Sequence, residues 1–204
     1  MTRQKRFFIP GQSYFILQEG LLGKVSFPDD ACYKFYLTRL LNCLTHYDVR
    51  LHAYALLPNE IQLVVTPMTP SGVSGLMKVV GGAYTQYFNT RYECSGSLWR
   101  GRFKSSLIEP GRTLLNCQKF VELGPVRMQL VEHPGEYHWS SYCTNAFGGH
   151  GKYLSSHDSY RALANRPRER YQIYRQMVAR SFARPYFEAL NDRLRSGARM
   201  AEIA

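Results

Sequence analysis

No run of about 18 consecutive apolar residues occurs in the 204-residue chain, so no membrane-spanning helix is expected and a membrane partner is excluded. Acidic residues are scarce. The chain has 15 Asp and Glu against 26 Lys and Arg, a formal charge of +11 that favours polyanions over small acidic proteins as partners. Cysteine is sparse and scattered: Cys32, Cys43, Cys94, Cys117 and Cys143 are odd in number and form no Cys-x-x-Cys, which argues against a disulfide frame or a zinc knuckle. The histidines (His46, His52, His133, His138, His150 and His157) show no His-x-His or His-x₃-His spacing. A serine or cysteine nucleophile motif, a phosphate-cradling glycine loop, a paired-carboxylate site, an internal repeat and a low-complexity tract are all missing. The basic opening runs straight into Phe7, Phe8, Ile9 and Pro10–Gly11, unlike a secretory leader. With reduced thiols, this makes a cytoplasmic location the expectation. What is present, 45% hydrophobic and 14% aromatic residues, is enough for a packed core.

Periodicity supplies the element order. Residues 13–18 read as a strand. Pro28, Asp29 and Asp30 signal a helix start, and Cys32, Phe35, Tyr36, Leu40, Cys43, Leu44 and Tyr47 continue it at helical spacing over 29–47. Two apolar runs, 50–57 and 60–66, are joined by Pro58–Asn59 as in a tight hairpin. In the second run, Ile61, Leu63 and Val65 share one face, and Glu60, Gln62 and Val64 the other. A second helix is expected over 71–92 and a fourth strand over 102–109, the latter ended by Pro110–Gly111. Strand, helix, strand, strand, helix, strand is an α+β, ferredoxin-like β-α-β-β-α-β arrangement with one face of its antiparallel sheet open. A third helix near 113–123 is expected by that open face. Residues 124–157 read as mostly irregular. Helical periodicity returns from Ser159, through Tyr171, Tyr174, Met177 and Val178, into an Arg-rich tail carrying Arg193, Arg195 and Arg199. The chain divides as 1–142, the ferredoxin-like domain, and 143–204, an irregular segment with a helical extension.

Four strings in order, "FFIPGQSYFILQEG" (7–20), "YALLPNEIQLVVTP" (54–67), "SLWRGRFKSSLIE" (97–109) and "FVELGPVRMQLVEHPGEYHWSSY" (120–142), resemble the REP-associated tyrosine transposases, bacterial relatives of the single-strand HUH transposases. The resemblance covers residues 1 to about 142. It implies action on single-stranded, hairpin-bearing DNA. It also implies a divalent metal such as Mg²⁺ or Mn²⁺ held by a His-hydrophobe-His pair, a tyrosine that forms a 5′-phosphotyrosine, an Asn or Gln one turn later, and a homodimer in some members. This chain departs from that pattern at each chemical position. Glu60 and Gln62 stand for the two histidines, Phe120 for the tyrosine and Gly124 for the Asn.

Glu60 and Gln62 project from one strand face and could hold Mg²⁺ only loosely, or could be ordinary polar residues on a solvated face. A phenyl ring carries no oxygen nucleophile, so Phe120 cannot form the covalent intermediate. Tyr84, Tyr87 and Tyr92 belong to the second helix, where Tyr84 and Tyr87 lie on the apolar stripe and a core role is expected of them. No intact catalytic site, metal site or resident cofactor is therefore expected. The basic residues point to DNA: Arg3, Lys5 and Arg6 in an N-terminal arm, Arg100, Arg102 and Lys104 alternating onto one strand face, and Lys119 and Arg127 bracketing Phe120. The reading is a catalytically degenerate, DNA-binding transposase relative. The alternatives are an active transposase with remodelled ligands, using Glu60 and a displaced tyrosine, and a protein-interaction remnant without DNA binding.

Overall fold

The computed structural model describes residues 6–22, 25–148 and 153–198. Arg3, Lys5, His150 and Arg199 lie outside them. The strands are β1 (Ser13–Glu19), β2 (Val49–Leu57), β3 (Glu60–Pro67) and β4 (Lys104–Ile108), with α1 (Asp30–Leu44) after β1 and α2 (Gly72–Arg91) after β3. They form one antiparallel sheet in the order β2-β3-β1-β4, the ferredoxin-like arrangement expected from the element order.

Local chemistry accounts for the elements. Asp29 caps α1 by accepting the Cys32 N–H at 2.9 Å, and it also pairs with Arg91 and accepts from the Tyr92 hydroxyl at the end of α2. Those contacts tie the two helices together. Gly75 lets α2 approach the α1–β2 turn closely, since a Cβ there would lie 2.5 Å from the Tyr47 ring. Ile61, Leu63 and Val65 pack with Ile16, Tyr36, Leu40, Leu76, Val80 and Tyr84 into the core between sheet and helices. Glu60, Gln62 and Val64 face the other way, as the period of two requires.

That second face is not free. After β4 come α3 (Arg112–Glu122), α4 (Gly124–Arg127), a 3₁₀ turn (Pro134–Glu136), α5 (Tyr142–Phe147), α6 (Asp158–Arg161), α7 (Pro167–Ala179) and α8 (Arg184–Ser196). Helix α3 crosses the face over β2 and β3, and α8 covers it over β1 and β4. Phe15, Leu17, Val64, Ile108, Leu114 and Phe120 meet Leu190 and Leu194 there in a second core, with Phe187 packed against it. Residues on both sides of position 142 share this core. The expected irregular stretch 124–157 holds short helices and a 3₁₀ turn, closed by local caps such as the reciprocal His133–Glu136 box, which periodicity does not reveal.

Candidate functional site

On β3, Glu60 and Gln62 lie side by side, Gln62 Nε2 donating to Glu60 Oε1 at 2.5 Å, but both are buried. The solvated-face expectation fails because Arg195 of α8 reaches across. Its Nη2 stands 3.3 Å from Glu60 Oε1 and 3.2 Å from Oε2, and its Nη1 stands 3.6 Å from Glu19 Oε1. Glu19 is the register partner of Glu60 on β1, and its other oxygen takes Lys104 Nζ at 2.9 Å. Two carboxylates thus share two cationic side chains. Gln62 Oε1 is buried with no hydrogen-bond partner among the described residues.

Phe120 is buried in the same core. Its ring meets Phe15 edge-on with centroids 6.2 Å apart, stacks near Phe187 at 6.0 Å, and carries the Arg127 guanidinium over one face at 3.8 Å. Arg127 also donates to the Phe120 carbonyl. Burial pulls its pKa down to about 10, with Glu60 opposing and Arg195 adding to the fall. Gly124 faces Leu57: a Cβ there would lie 3.2 Å from Leu57 Cδ1 and 3.7 Å from Arg127 Nη2. Lys119 is buried too, its ammonium donating to the Arg180 carbonyl and lying 4.1 Å above the Phe182 ring. Lys119 and Arg127, expected on a DNA surface, therefore spend their charge inside the protein. Beside them Glu122, fully buried, accepts from Ser141 Oγ at 2.5 Å, Asn145 Nδ2 at 2.7 Å and the Tyr174 hydroxyl at 2.5 Å. Burial pushes its pKa up to about 7, against the lowering effect of those three donors.

The expected row of cations on one strand face also divides. Gly101 has φ +69°, and β4 begins only at Lys104, so the residues before it do not alternate as a strand. Lys104 turns to Glu19 on the α8 side. Arg102 lines a cavity of about 970 Å³ on the opposite, helix side, against α2. Arg100 is exposed.

That cavity was not foreseen. Its floor is the glycine-rich face of α2, where Trp99 lies against Gly81 with its indole N–H donating to the Gly81 carbonyl at 3.2 Å. Phe103, Phe7 and Tyr47 supply further aromatic surface, and Arg6, Lys78 and Arg102 supply cations. Arg6 lies 4.7 Å over the Phe103 ring and donates to the Phe103 carbonyl; burial and then Arg102 pull its pKa below the usual guanidinium value. Tyr36, fully buried, lines the same cavity with a hydroxyl that has no hydrogen-bond partner among the described residues. Gly81–Gly82, which reads in sequence only as a weak point in a helix, is the signal that could have marked this floor.

No family model matches the chain, and no curated protein does. Among solved structures, the REP-associated tyrosine transposase bound to a REP hairpin aligns with 78% of this chain and 93% of its own, at TM-score 0.62 and 14% sequence identity. The chain has the fold of a REP-associated tyrosine transposase. A protein of Deinococcus radiodurans R1 assigned to the transposases covers 68% of this chain and 98% of its own at 14% identity, but at TM-score 0.38 that likeness is too slight to argue from.

The transposase resemblance calls for a divalent metal at the Glu60 position, and the residues there do not fit one. Arg195 already lies against both carboxylates, and Gly124 contributes no side chain. No group of three or more His, Cys, Asp or Glu able to hold a metal occurs among the described residues.

Proposed function

We propose that the chain is a DNA-binding, catalytically silent relative of the REP-associated tyrosine transposases, recognising single-stranded or hairpin-bearing DNA in the cytoplasm. The observation that carries the binding reading is the cavity between α2 and residues 97–103, where Arg6, Lys78 and Arg102 stand beside Trp99 and Phe103. Cations for phosphates beside aromatic faces for unpaired bases are the combination that single strands require. The fold likeness to a hairpin-bound transposase points the same way. Silence is supported by chemistry. Phe120 has no oxygen to attack phosphorus, and Arg195 takes up the carboxylates that a metal would need.

Fluorescence anisotropy with a labelled hairpin oligonucleotide across a salt series tests binding. Log affinity should fall with log salt by about 0.7 per phosphate neutralised on a single strand. Lys78→Ala and Arg102→Ala should each reduce both affinity and slope. A salt-independent affinity, or none, rejects the DNA reading in favour of a protein-interaction role. A covalent protein–DNA adduct on a denaturing gel with the wild-type protein rejects the silent reading.

A further inference from the structure

A second cavity, of about 420 Å³, lies at the outer edge of β2 where residues 154–158 run past it. It is remote in register from Glu60, at the far end of β3, and is lined almost wholly by polar side chains. Its wall is rigid. Ser155 N–H donates to the Leu51 carbonyl at 2.8 Å, fixing the passing segment to the strand edge. His52, buried behind it, uses both ring nitrogens: Nδ1–H donates to the Ser155 carbonyl at 2.5 Å, so Nε2 accepts from the Thr66 hydroxyl at 2.8 Å. With the Thr66 proton committed to His52, Ser13 Oγ must donate to Thr66, at 2.8 Å. These bonds fit a neutral His52, whose pKa burial lowers to about 4.

The front of the cavity is different. His157 sits edge-on to His52 with ring centroids 5.1 Å apart, and its Nδ1 accepts the Ser159 N–H at 3.0 Å. The ring's proton is therefore on Nε2, a donor that no acceptor engages among the described residues. Arg50, on β2, has no ion-pair partner among the described residues. Arg161, on α6, pairs with Asp158, the one carboxylate lining the cavity. Positive charge is in excess: two guanidiniums and an imidazole donor surround the space against one carboxylate that is already engaged. An apolar ligand has no wall to bury against, and a cation meets repulsion. A tetrahedral anion with several acceptor oxygens can take donors from Arg50, Arg161 and His157 at once, as phosphate sites do.

We propose that this pocket is a phosphate-binding site, with Arg50, Arg161 and the His157 Nε2–H as its donors. The phosphate can belong to a nucleic-acid backbone or to a free phosphorylated small molecule, and the shared group is what the residues recognise.

The test is a titration of the full chain with inorganic phosphate, followed by the imidazole signals of His157 in ¹H–¹⁵N NMR, with His133, which does not line the cavity, as internal reference. A saturable shift of His157, lost or weakened about tenfold in Arg50→Ala, is expected, the size of one charge-assisted hydrogen bond. Arg50 is exposed and outside the hydrophobic cores, so the variant should fold, which its unchanged spectrum elsewhere would verify. No saturable His157 shift, or equal affinity in wild type and Arg50→Ala, overturns the proposal. A second arm adds hairpin DNA to the phosphate-loaded protein. Displacement of phosphate assigns the site to a nucleic-acid backbone, and retention assigns it to a free phosphorylated ligand. Because the readout is at His157, loss of DNA binding at the α2 cavity leaves it intact.

Discussion

The Arg195 guanidinium lies 3.2 Å from Glu60 Oε2 and 3.6 Å from Glu19 Oε1, so one cation from the last helix bridges two carboxylates that are register partners on neighbouring strands. The pair is half-buried: the Glu60 side chain is 12% exposed and that of Arg195 is 41%. Arg195→Ala should lower stability by about 1–2 kcal/mol in urea unfolding, between the values for exposed and buried pairs, because Glu60 is left without its main counter-charge. Glu60→Gln in the Arg195→Ala background should then cost less than Glu60→Gln alone. Additive losses would show that the two do not interact.

Calorimetry with Mn²⁺ or Zn²⁺ on the wild-type protein should give at most weak binding, since Arg195 competes for the same oxygens. A stoichiometric, submicromolar site abolished by Glu60→Ala would revive the enzyme reading.

Phe120→Tyr alone should produce no phosphotyrosine adduct on hairpin DNA. The added hydroxyl enters a ring site enclosed by Phe15, Phe187 and Arg127, and an unsatisfied hydroxyl there would cost about 1–3 kcal/mol. A phenol with an ordinary pKa near ~10 also seldom ionises without a metal or base to help. Recovery of cleavage should require Glu60→His, Gln62→His, Phe120→Tyr and Gly124→Asn together, and Arg195 removed as well. Adduct formation by the single variant would show that only the nucleophile was missing.

Glu122 makes stability depend on pH in an unusual direction. Its carboxyl is raised from 4.5 to about 7 in the folded protein, so between those values the folded state holds a proton that the unfolded state has lost. Stability should therefore be greatest below about 4.5 for this group and fall as pH rises to 7, by at most about 3 kcal/mol. His52 acts oppositely: its pKa is lowered from 6.5 to about 4, chiefly by burial, so its contribution is lost as pH falls through that window. Glu122→Gln should remove the first limb and leave the second, giving stability that rises from acid pH to near 7. An unchanged pH profile in that variant would contradict the assignment.

The sheet and its two covering helices were legible because alternation on β3 and the stripe of α1 are strictly local patterns. The fate of the open face was not. Phe187, Leu190 and Leu194 recur at i, i+3 and i+7, a stripe obscured in a tail whose arginines dominate its composition. Glu60 and Gln62 were placed on the correct side, but the counter-charge of Glu60 comes from 135 positions away. Lys119 and Arg127 read as surface charge because nothing in a sequence window shows that a side chain will lie over Phe182 or Phe120. Arg102 and Lys104 part company because β4 begins only at Lys104, whereas Arg102 lies in the bend that follows Gly101, a residue of positive φ.

The covering of the sheet by α8 also sets an order of events during synthesis. Phe15, Leu17 and Val64 leave the ribosome early, whereas Leu190 and Leu194 emerge more than a hundred residues later. A growing chain that has already paired β1 with β3 must carry half of an apolar face to water until the last helix is released. Such late, non-local closure slows folding and exposes the nascent chain to aggregation. Between the completion of β4 and the arrival of α8, the uncovered part of that face is the stretch of the nascent chain most open to aggregation.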